Sequence, residues 1–361
     1  MKTKHMQLKL SVLAVALCLS GTQAQAQSFT EVVQNALTIY PTMLSAKAKT
    51  DAQRSDIDRA RAAHMPQISY GYARSKYANT DLPASIKSNT RSPSVRLNLW
   101  SGGRIEADAE RAEALTLSSE QQEALTRDEV ALLAAEAYIN WARAMDMHEL
   151  ASKNLESHRI TLSDIQKIVD VDTGRRIDLE QAQVRMDNAS LAKLQRQTEL
   201  HQARQRLSRF WQASLPTKPV GLKEAFHPAG RLGPMPTTVD QVMDAVSDDL
   251  PSIAQQKAQV KAAEAAVSVA RGQYWPTVDL TSTRQLNPVA NGFTTTYKED
   301  TFTQVQLNMP LYSGGATSAA VQTAVGQLKA AQYGLDEARL LAKEKAALAY
   351  QEWMNAQGRA T

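Results

Sequence analysis

The chain has 361 residues, of which 22% are charged, and its formal net charge is +4 at pH 7. Three lysines within the first ten residues account for most of that charge, so the remainder is nearly neutral and lacks the basic footprint of a nucleic-acid-binding protein. The chain has one cysteine, Cys18, in the predicted leader, which excludes disulfides and thiol chemistry in an exported product.

Residues 1–27 are predicted to be a signal peptide. Lysines precede the apolar run LSVLAVALCL, and a small-residue AQA site follows at Ala24–Ala26. A short membrane anchor is the alternative, but the run is too short to span a bilayer as a helix. Lipidation of Cys18 is disfavoured by Leu17, which stands where lipoprotein signals have a small residue. We therefore expect export.

The next segment, 28–211, predicts a helix, a β-hairpin and a long helical hairpin. Composition favours a helix over Phe29–His64, and Pro66 then opens a strand. In QISYGYARS and SVRLNLW, apolar and polar residues alternate, which predicts a hairpin over about 67–100.

A strand-to-helix joint follows at Ser101, Gly102 and Gly103. The glycines permit a sharp backbone change, and serine is a good helix cap. The alternative of a phosphate-binding loop has no supporting lysine and no GxGxxG motif. From Arg104 to about Val169 there is neither proline nor glycine, which predicts a helix of roughly 95 Å that packs as a coiled coil.

The stretch VDVDTGRRIDLEQ predicts a sharp reversal at Gly174, followed by a returning helix over roughly Ile177–Phe210. Residues 212–236, which are rich in proline and glycine, read as a linker.

Residues 237–361 repeat the first half of this plan. Pro41 matches Pro251 and Pro66 matches Pro276, each 210 residues apart, and the triplet at Ser101 recurs 212 residues later as Ser313, Gly314 and Gly315. Copy two therefore predicts a helix over roughly Val239–Arg271, a hairpin over about 277–311 and another long helix. The chain is an internal duplication.

Copy two is predicted to be incomplete. Copy one runs 70 residues past Trp141, to Trp211, whereas copy two runs eight past Trp353. The second reversal and returning helix have no counterpart, so we expect a fragment or a truncated product.

The prediction of function rests mainly on the four strands. Alternating apolar and polar residues are typical of membrane barrels, and Tyr70, Tyr72 and Trp100 suit a membrane interface. Four strands cannot close a barrel, so several chains must pool them. The alternative is a pair of soluble hairpins packed on the helices.

The duplicated plan, the two SGG joints, the proline strand entries and the turn VDTGRRIDLEQAQVR resemble the TolC family of outer-membrane factors. That resemblance implies an α+β membrane protein of the cell outer membrane that extends into the periplasm. It implies long α-helical coiled-coil hairpins and four transmembrane β-strands per chain, which form a homotrimer with a 12-stranded barrel and a periplasmic α-barrel. The implied partners are outer-membrane lipid, a periplasmic adaptor protein and an inner-membrane ABC or other export pump.

The resemblance also implies that Gly174, Arg175, Arg176 and Asp178 form a tip that contacts the adaptor. An exposed charged turn without a partner is the alternative. Acidic gate residues, which the family places near the second tip, have no positions here.

The joints and the RRIDLEQAQ turn look most like members that serve type I secretion, including adhesin export. The alternatives are the outer-membrane factor of a multidrug efflux pump, a periplasmic coiled-coil adaptor or structural protein, and a non-functional fragment. We expect no enzymatic activity, cofactor or metal, because the sequence has no HExxH, no G-x-S-x-G and no nucleophilic cysteine.

Overall fold

The computed structural model describes residues 29–77, 86–211, 219, 236–286 and 300–360. The predicted signal peptide, and all of the predicted linker except residues 219 and 236, lie outside this part. The helices are α1 (Phe29–Ile39), α2 (Pro41–Arg61), α3 (Arg104–Val171), α4 (Arg176–Leu207), α5 (Val239–Asp244), α6 (Pro251–Arg271) and α7 (Ala316–Ala360). The strands are β1 (Gln67–Tyr77), β2 (Ile86–Trp100), β3 (Thr277–Gln285) and β4 (Asp300–Asn308). This confirms the predicted mixture of long helices with four strands.

The chain divides into two compact units. One comprises Met1–Leu44 and Thr126–Gly233, and the other comprises Ser45–Leu125 and Pro234–Thr361. Helices α2 and α3 run through the boundaries, so each unit holds part of both. The second unit contains all four strands and elements from both sequence copies. The repeat boundaries at 28–211 and 237–361 remain a prediction.

In the first unit, α1 and α4 pack on the later part of α3 around a core of aromatic and small side chains. Tyr138 and Trp141 are one helical turn apart and are 0% and 2% exposed. Their rings meet edge to face with centroids 5.4 Å apart, and the Phe29 ring meets Tyr138 at 5.6 Å. The buried members of this core are Val32, Tyr138, Trp141, Ala203 and Leu207, and beside them lie Ala36, Val130, Ala134 and Phe210.

In the second unit, the four strands form one antiparallel sheet in the order β1-β2-β3-β4. The central pair, β2 and β3, joins the two sequence copies. Leu97 lies opposite Leu280 and Asn98 opposite Asp279, with a bulge before Trp100. No strand side chain that the structure describes is buried. The sheet is therefore not covered by the helices, which contradicts the alternative of soluble hairpins packed on them.

Helix pairs in the second unit are held by polar contacts and small residues. The Thr50 hydroxyl, which is fully buried, lies 3.3 Å from the Ser119 carbonyl, and Arg54 pairs with Glu120 at 2.8 Å. Between α6 and α7, Val267, Ala270 and Ala324 form one buried cluster. Within the described part of the chain, no helix combines the length and the apolarity needed to cross a membrane.

The prediction of one continuous helix at the start of each copy is wrong. In both copies the helix is interrupted, and the second segment begins at a proline. In copy one, Tyr40 separates α1 from α2, which begins at Pro41. In copy two, α5 ends at Asp244 and α6 begins at Pro251. Proline has no amide hydrogen and disfavours helical geometry in the residue before it, so it starts helices rather than continuing them.

Candidate functional site

The predicted reversal is a 3₁₀ turn, Thr173–Arg175, between α3 and α4. Asp172 caps it: its Oδ1 accepts a hydrogen bond from the Gly174 amide at 3.1 Å. Gly174 does not occupy the left-handed region. A Cβ on Gly174 would lie 3.2 Å from that carboxylate oxygen, so glycine leaves the cap room.

The outer rim of this tip carries charges and two uncovered apolar side chains. Arg175 Nε donates to Asp178 Oδ2 at 3.0 Å, so two of the predicted tip residues form an ion pair. Arg176 is exposed at the start of α4. Val171 and Ile177 are 90% and 68% exposed. A rim that mixes charge with exposed apolar area is suited to a protein partner.

Beside the tip, α3 and α4 enclose a groove of about 480 Å³. Arg175, Arg185 and His158 contribute nitrogen-bearing side chains to its lining, and Asp178 contributes a carboxylate. Ile168, Val169 and Ala182 are its apolar residues nearest the turn. Sequence reasoning missed this groove, because it depends on the register between the two helices.

The two strand-to-helix joints have nearly the same backbone conformation. Gly102 and Gly103 have φ of 65° and 76°, and Gly314 and Gly315 have φ of 62° and 83°. These are left-handed values that side chains other than glycine rarely adopt. The chain therefore turns from strand to helix in the same way in both copies.

The serines of the two joints behave differently. Ser313 Oγ accepts a hydrogen bond from the Thr317 amide at 3.3 Å, so it caps α7. Ser101 is 1% exposed and its Oγ has no hydrogen-bond partner among the described residues. The expectation that the Ser101 hydroxyl caps the first long helix is wrong, because the Arg104 amide donates to the Ser101 backbone carbonyl oxygen, at 3.3 Å, instead.

Pro66 and Pro276 each follow a 3₁₀ turn, at Ala62–His64 and Gly272–Tyr274. The residues before them, Met65 and Trp275, have extended ψ values of 153° and 151°, the geometry that a following proline favours. Each proline thus lies directly before its strand, as the sequence indicated.

The tip lies in the first unit and the joints and prolines lie in the second. Sequence reasoning overlooked Trp275, which packs on Gly102. Its position directly before Pro276 is the one local signal that could have drawn attention to it. Within the described residues, no group of three or more His, Cys, Asp or Glu could hold a metal ion.

Comparison with known proteins identifies the family. The model of the family "Outer membrane efflux protein" matches residues 32–211 and 244–361. Outer membrane efflux protein BepC of Brucella suis is 27% identical over 90% of this chain and 70% of its own length. Toluene efflux pump outer membrane protein TtgC of Pseudomonas putida is 24% identical over 61% of this chain, which spans 44% of TtgC.

A solved structure of CusC, whose report concerns folding and transmembrane channel formation, superposes with a TM-score of 0.78. It is 18% identical and covers 93% of this chain and 78% of its own. The fold is thus that of an outer-membrane channel rather than of an adaptor. Because the family model matches both sequence copies, this chain belongs to the outer membrane efflux protein family, as an outer-membrane efflux channel protein.

Proposed function

We propose that the chain is the duct subunit of a tripartite efflux pump, which passes small molecules from an inner-membrane transporter through the outer membrane. Proteins of this family form homotrimers and work with periplasmic adaptors and inner-membrane pumps. The duct itself performs no chemistry in this proposal. It supplies a continuous path, and the pump supplies the energy and the choice of substrate.

One observation carries the proposal: strands β1 and β4 of the sheet expose large apolar side chains at alternate positions. On β1, Ile68, Tyr70 and Tyr72 are 81%, 65% and 59% exposed, and on β4, Val305 and Leu307 are 64% and 65% exposed. A soluble sheet would bury such a face. In a bilayer the same face lies against lipid, where apolar surface is favourable and every backbone group must be paired within the protein.

The tip provides the second element of the proposal, a docking site for the periplasmic adaptor. Its exposed apolar residues, Val171 and Ile177, flank the Arg175–Asp178 pair. Apolar contact with charged residues at the rim is the usual composition of a protein interface. In this arrangement Arg176 and Gly174 lie at the edge that an adaptor meets first.

Type I protein secretion, including adhesin export, is the second candidate. The observation that favours it is the resemblance of the two joints and of the RRIDLEQAQ turn to family members that serve secretion. The printed names of the relatives favour efflux: one is an efflux protein and one belongs to a toluene efflux pump. We therefore place efflux of small molecules first.

One bacterial strain with two assays distinguishes the two functions. The chain is expressed in a Gram-negative host that lacks its own channel but retains adaptors and pumps of both kinds. Accumulation of a fluorescent efflux dye and secretion of a type I reporter protein are measured together. Lower dye accumulation without reporter secretion supports efflux, and the reverse result supports secretion. If neither changes while the chain is present in the outer membrane, the duct proposal is wrong.

The tip is tested by Arg175→Ala in the same strain. We expect export to fall about tenfold, the loss expected when a contact worth a little over 1 kcal/mol is removed from an interface. Arg196→Ala is the matched control, because Arg196 forms an equivalent i,i+3 pair with Glu199 at 2.8 Å within α4, away from the tip. Equal loss in both variants would contradict docking at the tip.

A further inference from the structure

The apolar face of the sheet ends in basic residues. Residues directly opposite each other on paired strands share a face, and so do alternate residues of one strand. By this rule Arg91 of β2, which lies opposite Tyr72, shares the face of that tyrosine, and so does Arg74, two residues further along β1. Both arginines are exposed. They lie towards the ends of the strands that are opposite to the strand-to-helix joints.

Two further cations extend this cluster. Lys76 follows Arg74 at the next position of the same face of β1. On the other side of β2, Arg284 stands two residues before Leu286, which forms a bridge with Arg91. Lys76 and Arg284 are also exposed. We call this set the basic band, and its members are Arg74, Lys76, Arg91 and Arg284.

The other face of the sheet differs in charge. It holds the carboxylate of Asp279, which lies opposite Asn98 and accepts a hydrogen bond from the Asn98 side-chain amide at 3.0 Å. It also holds one exposed arginine, Arg96, opposite Thr281. On the apolar face, none of the strand side chains that the structure describes is a carboxylate. The basic band and the Asp279 carboxylate therefore lie on opposite faces.

Members of the basic band are close enough to share an anion. Arg91 is the diagonal neighbour of Arg74 across β1 and β2, and of Arg284 across β2 and β3. Diagonal neighbours lie about 7–8 Å apart, within reach of long side chains. Guanidinium groups bind phosphate through two parallel hydrogen bonds, and a bound anion relieves their mutual repulsion. A ligand with more than one phosphate group suits this spacing.

The basic band lies at the height expected for lipid phosphates. On β2, Trp100 and Arg91 are nine residues apart, which corresponds to about 30 Å along the strand. With a tilt of about 40° the strand covers about 23 Å of membrane thickness over that length, close to the roughly 25 Å apolar band of such sheets. Tyrosine and tryptophan are enriched at both edges of a membrane. Because the joints lead into the helices that extend into the periplasm, Arg91 lies at the outer leaflet.

We propose that the basic band binds the phosphate groups of an anionic lipid in the outer leaflet, one whose phosphates have no ammonium group of their own to balance them. The proposal rests on the proposed channel in one respect, namely that the apolar face of the sheet lies in lipid. The apolar side chains contact the acyl chains of the bound lipid. The cations bind its phosphates where the acyl chains end, as basic side chains do at a membrane surface.

The test uses the full chain in phosphatidylcholine nanodiscs that contain lipid A with two phosphates. Native mass spectrometry measures how much lipid A the chain retains. Removing a cation from an anionic membrane surface lowers affinity about fivefold, so Arg74→Gln with Arg91→Gln should lower it about 25-fold. Arg96→Gln is the matched control, because Arg96 is an exposed arginine of the same strand on the other face. It should leave lipid A binding unchanged.

A single substitution guards against misfolding of the double variant. Lys76→Gln should lower the affinity for lipid A about fivefold. All these side chains are exposed, so circular dichroism should show unchanged β-sheet content in each variant. Equal retention of lipid A by the unmodified chain and by the correctly folded Arg74→Gln, Arg91→Gln and Lys76→Gln variants overturns the proposal, as does an equal loss in Arg96→Gln.

Two competitors identify the bound group. Lipid A without its phosphates has the same acyl chains, and it should be retained no better than phosphatidylcholine. Inorganic phosphate should fail to displace lipid A, because it lacks the acyl chains that contact the apolar face. Equal retention of the dephosphorylated lipid would show that the acyl chains alone are recognised. Displacement by inorganic phosphate would show a site for the free anion, and either result overturns the proposal.

Dye export by the unmodified chain, measured in the bacterial strain described above, separates this outcome from the fate of the channel proposal. Normal export without retention of lipid A that depends on the basic band refutes the lipid site and leaves the duct. Retention that depends on the basic band, without export, supports the lipid site and refutes the duct.

Discussion

The same aromatic pair occurs in both sequence copies, yet only one is buried. In copy one, Tyr138 and Trp141 are 0% and 2% exposed, beneath Leu207 and Ala203 of α4. In copy two, at an offset of 212 residues, Tyr350 is half-buried and Trp353 is 39% exposed. Their rings still lie close, with centroids 5.8 Å apart. The three-residue spacing thus keeps the two rings close together in both copies, whereas their burial depends on which other elements pack against them.

In the second copy, an exposed ion pair links the segment before α6 to α7. Asp248, before α6, binds Arg339 of α7 through two hydrogen bonds of 3.0 and 2.7 Å. The neighbouring groove, of about 450 Å³, is lined by Val246, Ile253 and Leu340. The aromatic core of copy one is closely packed, whereas this ion pair of copy two is exposed and lies beside a groove.

The largest expected effect distinguishes the two aromatic pairs. Trp141→Ala should lower the free energy of unfolding by about 3–5 kcal/mol, because it leaves a cavity in a closed core. Trp353→Ala, its counterpart at an exposed position, should cost no more than about 1 kcal/mol. Guanidinium unfolding in detergent, followed by circular dichroism, measures both. Equal losses would mean that Trp353 is buried in solution, and the contrast between the copies would fail.

A second prediction compares the joints. In Gly102→Ala, the alanine must adopt a left-handed φ, which costs about 1–3 kcal/mol, and its Cβ also clashes with Trp275. In Gly103→Ala, only the cost of the left-handed φ applies, because nothing lies within 4 Å. Unfolding measurements should therefore find the first variant clearly less stable. At the second joint, a Cβ on Gly314 would meet nothing within 4 Å, so Gly314→Ala should cost no more than Gly103→Ala. Guanidinium unfolding in detergent measures all three variants. Equal losses for Gly102→Ala and Gly314→Ala would contradict the packing of Trp275 on the first joint.

Local patterns in the sequence were sufficient to predict much of this fold. Period-two alternation located the strands, the absence of glycine and proline predicted the long helix α3, and the SGG triplets marked both joints. These signals depend on a few neighbouring residues. The breaks before Pro41 and Pro251 were also locally encoded, and were missed because helical composition on both sides outweighed a single residue.

The long-range contacts could not be predicted in the same way. The pairing of β2 with β3 joins segments about 180 residues apart, and no local pattern specifies it. The packing of Trp275 on Gly102 follows from that pairing. At the tip, the charged turn was predicted, but the adjoining groove depends on how α3 and α4 align. Whether Gly174, Arg175, Arg176 and Asp178 contact an adaptor remains a prediction.

The smallest expected effect concerns the ion pair of copy two. Hydrogen bonding to Arg339 lowers the pKa of Asp248 below its usual value near 4. A lowered pKa means that the pair stabilises the fold fully above about pH 4 and loses this contribution as the pH falls through the lowered value. Because both side chains are exposed, solvent screens the pair and the contribution should be small.

Asp248→Asn should therefore lower the melting temperature slightly and equally from pH 5 to pH 7, and the gap from the unmodified chain should close at lower pH. Asp164→Asn is the matched control, because Asp164 pairs with Lys167 at 2.9 Å within one helix. If Asp248→Asn and Asp164→Asn have the same small effect, the ion pair between the segments is incidental. The contact between the segment before α6 and α7 would then rest on the apolar side chains of the groove, Val246, Ile253 and Leu340.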